Sequence, residues 1–223
     1  MSSIPFTVYD FFGYIASGLI ALSLPDIVAG QVPLADEDLT SFQIILLVLM
    51  AYIVGHILAS MTKLIYERML VERLLGLPSK VLFTNPSTQG IKRFLFPIYF
   101  KPLDEVIAAR VLARAATFGV SGPGDALFYH ARTLAKQDAS TWSRMEAYLS
   151  LYGFCRNISF TLAIASMFFL LLYIDGRASM ATWCLLALLS SFIMGSRYLK
   201  FYRLYVFELF TSYADIPVKS AGV

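Results

Sequence analysis

Five polar residues form a stripe along the second apolar segment of this chain and are its first candidates for a functional site. The members are spaced four, four, three and four residues apart, which places them on one face of an α-helix: Tyr52, His56, Ser60, Lys63 and Glu67. A charge at the centre of a bilayer costs roughly 2.5–3.5 kcal/mol on insertion scales, so polar side chains there usually face a bundle interior or water. We therefore expect His56 to point away from lipid.

The polar stripe is compatible with three kinds of chemistry. It could line an aqueous path in an oligomer, where His56 would change its charge between about pH 5 and 8; it could satisfy hydrogen bonds between helices; or it could belong to a catalytic site. The sequence favours hydrogen bonding over the aqueous path and gives catalysis the least support. His56 and His130 are the only histidines, and no metal-ligand, nucleophile–base or phosphate-loop motif accompanies them. We predict no enzyme activity, no metal site and no cofactor.

Three charged residues lie at the expected inner ends of the apolar segments and are candidates for ion pairs: Asp10, Arg156 and Arg197. Asp10 follows Thr7 at the spacing of a helix capping box, and it could instead pair with a cation at the same depth. Arg156 can extend to the lipid headgroups without a partner, or it can pair with Asp10 or Glu208.

A stretch that mixes basic and aromatic residues follows the second apolar segment. It covers residues 91–102 and includes Lys92, Arg93, Phe94, Phe96 and Tyr99. Close to a membrane, such residues favour contact with lipid headgroups, because amphipathic rings and long basic side chains prefer the interface. Single-stranded nucleic acid is bound by similar residues, but we predict the lipid bilayer as the partner.

Four apolar segments must position these residues, and each is long enough to cross the roughly 30 Å hydrocarbon core of a bilayer as a helix. They cover residues 11–29, 42–61, 158–174 and 180–196, in a chain that is 58% hydrophobic and 15% charged. Soluble domains are roughly 45–50% apolar and about 25% charged, so a soluble helical bundle is disfavoured. The first segment lacks the basic start of a secretory signal, and we expect it to be retained.

The distribution of Lys and Arg predicts the orientation of these four spans. Seventeen of the 18 basic residues lie within residues 63–156 and 197–219, and basic residues beside apolar spans stay in the cytoplasm. Both termini and the middle of the chain are then cytoplasmic, whereas the loop with Asp36, Glu37 and Asp38 lies outside. Cys155 and Cys184 would be separated by most of the bilayer, which excludes a disulfide between them.

The predicted fold is an all-α membrane protein with a helical cytoplasmic module inserted between two transmembrane hairpins. The first hairpin covers residues 1–75, with a helix that begins at Thr40 or Ser41 and continues to Leu75. The module covers residues 76–140. The second hairpin covers residues 141–223, with a helix that begins at Ser140 or Thr141 and an amphipathic C-terminal helix. We expect Arg197, Lys200 and Arg203 to turn the basic side of that helix toward headgroups or water.

No motif in the chain identifies a substrate. In size and layout, the chain resembles small multi-pass bacterial proteins that act as membrane sensors or effectors in antiviral and toxin-like systems. This resemblance rests on architecture. It implies a self-associating, non-enzymatic inner-membrane protein that senses, anchors or signals through a cytoplasmic protein partner. The alternative function is an oligomeric, regulated pore or ion channel lined by the polar stripe.

Overall fold

The computed structural model describes residues 8–31, 39–84 and 90–215, and the regular secondary structure in these ranges is helical. The α-helices in chain order are α1 (Val8–Leu22), α2 (Leu24–Ala29), α3 (Ser41–Thr62), α4 (Pro78–Val81), α5 (Gly90–Leu95), α6 (Glu105–Thr117), α7 (Asp125–Ala135), α8 (Ala139–Ile174) and α9 (Met180–Asp215). A π-helical segment, Lys63–Leu75, follows α3 directly. The all-helical class is thus confirmed for the described residues.

Four helical stretches of the described residues are long and apolar enough to cross a membrane. They are Phe11–Ala29, Ser41–Val81, Ala139–Ile174 and Met180–Asp215, and each contains one of the spans expected from the sequence. The acidic residues Asp36, Glu37 and Asp38 lie outside the described residues. The side of the membrane on which each loop lies therefore stays a prediction from the charge distribution.

Side-chain caps explain where two of the long helices begin. Thr40 forms a capping box before α3: the Gln43 N–H donates to Thr40 Oγ1 at 3.4 Å, and the Thr40 N–H donates to Gln43 Oε1 at 2.8 Å. Before α8, the Asp138 carboxylate accepts the Thr141 N–H at 3.1 Å and the Ser140 hydroxyl at 3.0 Å. The pKa of Asp138 is lowered by these partners, chiefly by the Thr141 side chain and then by the Thr141 N–H.

The helix that follows α3 differs from the expected α geometry. It reaches Leu75 without a break, as predicted, but Lys63–Leu75 is wound as a π-helix of 13 residues. π-Helices are rare, and most are single turns inside α-helices, frequently at functional sites. Because π winding puts more residues into each turn, the α-helical spacing that defined the polar stripe does not apply beyond Lys63.

The chain divides into two compact units. Unit 1 comprises Met1–Leu70 and Ser150–Tyr198, and unit 2 comprises Val71–Leu149 and Leu199–Val223. The divisions after Leu70, Leu149 and Tyr198 fall within the π-helical segment, α8 and α9 respectively, and each of these helices is unbroken there.

Within unit 1, glycines allow α1 and α3 to pack at very short range. A Cβ atom built on Gly55 would lie 1.9 Å from the Tyr14 carbonyl oxygen, and one on Gly18 would lie 1.8 Å from the Ala51 carbonyl oxygen. Also within unit 1, α8 and α9 are joined by two reciprocal hydrogen bonds. The Ser159 hydroxyl donates to the Ser191 carbonyl, and the Ser191 hydroxyl donates to the Ser159 carbonyl, both at 2.8 Å. Small residues and hydroxyls are the usual means by which membrane helices associate.

Unit 2 has its own apolar core, to which α6, α7 and α9 contribute. Val111, Leu127, Leu209 and Phe210 are completely buried in it. Arg203 departs from the expected basic face of α9, because it is only 6% exposed. Its Nε donates to the Lys101 carbonyl at 3.0 Å, so this arginine stabilises unit 2 from within and does not face headgroups or water.

Candidate functional site

Glu67, Arg156 and Tyr152 form a hydrogen-bonded charge cluster in unit 1. Arg156 Nη1 and the Tyr152 hydroxyl both donate to Glu67 Oε1. The Arg156 guanidinium also lies over the Tyr152 ring, 5.4 Å from its centroid, and its Nε and Nη2 are each 3.4 Å from the Asn157 Oδ1. The side chains are 13% exposed for Arg156 and 24% exposed for Glu67. We call Glu67, Arg156 and Tyr152 the charge cluster.

Two helical elements position the charge cluster. Tyr152 and Arg156 are four residues apart on α8, so they share one face of that helix. Glu67 comes from the π-helical segment, where α spacing alone would not have assigned its direction. A buried charge without its partner costs several kcal/mol, so the cluster holds the π-helical segment and α8 together.

Aromatic rings surround the charge cluster and reduce its contact with solvent. Tyr198 of α9 is completely buried, and its ring centroid is 5.1 Å from that of Tyr152 and 6.0 Å from that of Tyr66. The Tyr66 hydroxyl lies 3.1 Å from Ser159 Oγ. In such a low-dielectric setting, a hydrogen bond is stronger when it is made, and its loss is more costly.

The first half of the polar stripe belongs to an aromatic cluster. The His56 ring stacks on Tyr14 of α1, with centroids 4.1 Å apart and planes inclined by 22°, and it meets the Tyr52 ring edge-on at 4.7 Å. Tyr52 in turn contacts Phe11, with ring centroids 5.5 Å apart. His56 thus packs against another helix.

The second half of the polar stripe points in two directions. Ser60 and Lys63 are exposed on the surface of the chain, and the Ser60 hydroxyl donates to the His56 carbonyl of its own helix at 3.0 Å. Glu67 turns inward to the charge cluster. The five stripe residues therefore do not form one continuous lining within a single chain.

The predicted boundary charges are found in different settings. Arg156 pairs with Glu67, whereas Glu208 pairs with Arg144 at 2.7 Å in unit 2. The Asp10 side chain lies outside the described residues, although the backbone of Asp10 is part of α1. Arg197 is exposed and interacts with the Cys155 side chain. The Glu67–Arg156 partnership was not anticipated, because the sequence analysis assigned the two residues to separate features.

The basic and aromatic stretch 91–102 also divides. Phe94 is 84% exposed and Arg93 is exposed, whereas Phe96 is half-buried. Lys92 donates through Nζ to the Leu74 carbonyl. Tyr99 is only 1% exposed, so it cannot serve as an interfacial residue in this conformation.

The described residues contain no group of three or more His, Cys, Asp or Glu side chains that could hold a metal ion. No protein-family model, curated protein or solved structure matches the chain. What the charge cluster offers is an ion pair and a hydrogen bond to one carboxylate, which join the π-helical segment to α8.

Proposed function

We propose that this chain is a non-enzymatic, self-associating membrane subunit that senses, anchors or signals through a cytoplasmic helical module. The module corresponds to residues 76–140, and it binds a protein partner. The observation that carries the proposal is the charge cluster, in which a π-wound segment supplies the carboxylate of a mostly buried ion pair. Paired ionisable residues within a membrane span, or at its end, are expected to have a function.

The π-helical winding supports a signalling role for a physical reason. If Lys63–Leu75 rewound to α geometry, each side chain after Lys63 would rotate about the helix axis, and Glu67 would leave Arg156. Irregular winding often marks a functional hinge, and the segment continues without a break from Glu67 into unit 2. A ligand or partner that prefers one winding would shift the population of the other.

The proposed setting is a bacterial inner membrane with both termini in the cytoplasm. The concentration of Lys and Arg in residues 63–156 and 197–219 supports this orientation. The size and layout of the chain support a membrane role in an antiviral, phage-defence or toxin-like system.

Crosslinking in living cells tests the proposal. A photo-crosslinking amino acid is placed at Tyr129, a 63% exposed residue within the proposed module, in the full-length chain. We expect a discrete crosslinked product with another protein, and we expect Glu67→Gln to change its yield at least several-fold. Arg144→Gln, which breaks a more exposed ion pair with Glu208, serves as the control and should leave the yield unchanged. Absence of any product, or equal yields for Glu67→Gln and the native chain, would overturn the proposal.

The alternative function, a regulated oligomeric pore, is favoured by one observation. Ser60 and Lys63 are exposed on the surface of a single chain, within a helical stretch that is long and apolar enough to cross a membrane. Several copies could bring these side chains around a shared aqueous axis. Purified protein in liposomes should then conduct ions, and Lys63→Ala should reduce that flux. Flux that is absent, or that Lys63→Ala and His56→Ala leave unchanged, would exclude the pore.

A further inference from the structure

An unusual apolar ridge projects from unit 2 around helix α5. Ile91 is 76% exposed, Phe94 84%, Leu95 49% and Ile98 51%. Their spacing of three, one and three residues is that of one helix face, although α5 ends at Leu95 and Ile98 lies in the turn that follows. We call these four residues the apolar ridge.

The apolar ridge is held firmly at its C-terminal end. Tyr99 and Phe100 directly follow it and are each only 1% exposed. The Tyr99 hydroxyl donates to the Gly76 carbonyl at 2.7 Å, and the Lys101 carbonyl accepts from Arg203 at 3.0 Å. The exposure of Phe94 is therefore part of an ordered arrangement with buried anchors.

A basic hollow lies beside the ridge. Its volume is about 260 Å³, and the residues that line it include Lys80, Lys92 and Thr84. Residues 73–103 contain five Lys or Arg residues and no Asp or Glu. Lys92 belongs to α5 and thus connects the hollow to the ridge.

We infer that the hollow and the apolar ridge together bind an anionic phospholipid. The lipid phosphate would occupy the hollow between Lys80 and Lys92, and the acyl chains would cover Ile91, Phe94 and Leu95. Each basic residue near an anionic surface contributes about fivefold to binding, and large apolar side chains beside basic ones are typical of helices that lie in the interface.

Charge and side-chain type favour this occupant over others. A protein ligand or a nucleic acid could match the positive charge, but three of the four ridge residues are aliphatic. Binding of single strands depends on aromatic faces that stack with bases. Because four helices of the chain can cross a bilayer, lipid is also present at a high effective concentration. This inference does not depend on the protein partner proposed above.

Hydrogen exchange of the full-length protein in lipid nanodiscs tests the inference. The discs contain phosphatidylcholine alone or an about 2:1 mixture of phosphatidylcholine and phosphatidylglycerol. We expect backbone amides in residues 91–98 to exchange more slowly in the anionic discs, by a factor of about five or more. Lys80→Gln should remove most of this protection while the hydrogen bond from Lys92 to the Leu74 carbonyl is retained. Phe94→Ser should also remove the protection.

Two control variants test whether the protection is specific to the proposed site, and two competing ligands test whether it requires lipid. Val106→Ser and Arg110→Gln alter exposed residues on α6 in the same unit, and both should keep the protection. Inorganic phosphate or a single-stranded oligonucleotide, added to protein in phosphatidylcholine discs, should give none. Equal exchange in both disc types would overturn the inference, as would protection by phosphate or the oligonucleotide alone, or Lys80→Gln and Phe94→Ser behaving like the controls.

Discussion

Replacing Glu67 by Gln should destabilise the protein strongly, because it leaves the Arg156 guanidinium buried without a counter-charge. The Arg156 side chain is 13% exposed and that of Glu67 is 24% exposed. Removing one partner of a buried ion pair costs about 3–5 kcal/mol, and the residual exposure places this pair near the lower end. The expected loss of about 3 kcal/mol corresponds to a decrease of about 6–12 °C in Tm for a chain of this length. Tyr152→Phe, which removes one hydrogen bond to the carboxylate, should cost about 1.5 kcal/mol.

A double-mutant cycle separates the ion pair from general disruption. Glu67→Gln, Arg156→Met and the double variant are unfolded thermally and by SDS titration in detergent micelles. Since the double variant leaves no unpaired charge, it should be more stable than the sum of the single effects predicts, with a coupling of about 2 kcal/mol or more. Strict additivity of the two single changes, or a Glu67→Gln variant as stable as the native chain, would show that Glu67 and Arg156 are not coupled as a buried ion pair.

Two further predictions concern packing and helix capping. Gly55→Ala should destabilise the protein by about 3 kcal/mol or more in the same assay, because its Cβ would lie 1.9 Å from the Tyr14 backbone oxygen. Gly13→Ala should be tolerated, because its Cβ would lie 3.5 Å from its nearest atom. Equal effects of the two substitutions would contradict the observed helix contact. Asp138→Asn should be less stable than the native chain above the ordinary carboxyl pKa of 3.8, because the Thr141 hydrogen bonds lower the folded-state pKa of Asp138. The difference should decline as the pH falls below 3.8 and through that lowered value; a pH-independent difference in an unfolding titration would show that the cap acts without its charge.

The four long apolar helices could be predicted from the sequence because their signals are local. Apolar length predicted these helices, and the capping residue Thr40 predicted the start of α3 within one residue. Leu75 was also correctly predicted as the end of the long second helix. Length, composition and caps act within a few residues of one another, so a single chain displays them directly.

The charge cluster could not be predicted from the sequence, because it depends on which helices become neighbours. Glu67 and Arg156 are 89 positions apart in the chain, and helix adjacency is a tertiary property. One signal was present: both residues lie within about two turns of the inner ends of expected spans, so they occupy similar depths. The π winding of Lys63–Leu75 left no such signal, and it redirected Glu67 from the stripe to Arg156. The burial of Tyr99 could not be predicted for the same reason, since its hydroxyl donates to the carbonyl of Gly76, 23 positions earlier in the chain.

Cysteine labelling in intact cells tests the central claim that four spans keep residues 76–140 in the cytoplasm. A membrane-impermeant maleimide is applied to Tyr129→Cys, at a site that is 63% exposed in the native chain and lies outside the proposed lipid site, and to Arg177→Cys, between α8 and α9. The native chain provides the background from its own two cysteines. We predict that Arg177→Cys is labelled in intact cells, whereas Tyr129→Cys is labelled only after the membrane is permeabilised. Labelling of Tyr129→Cys in intact cells would contradict a cytoplasmic location of residues 76–140.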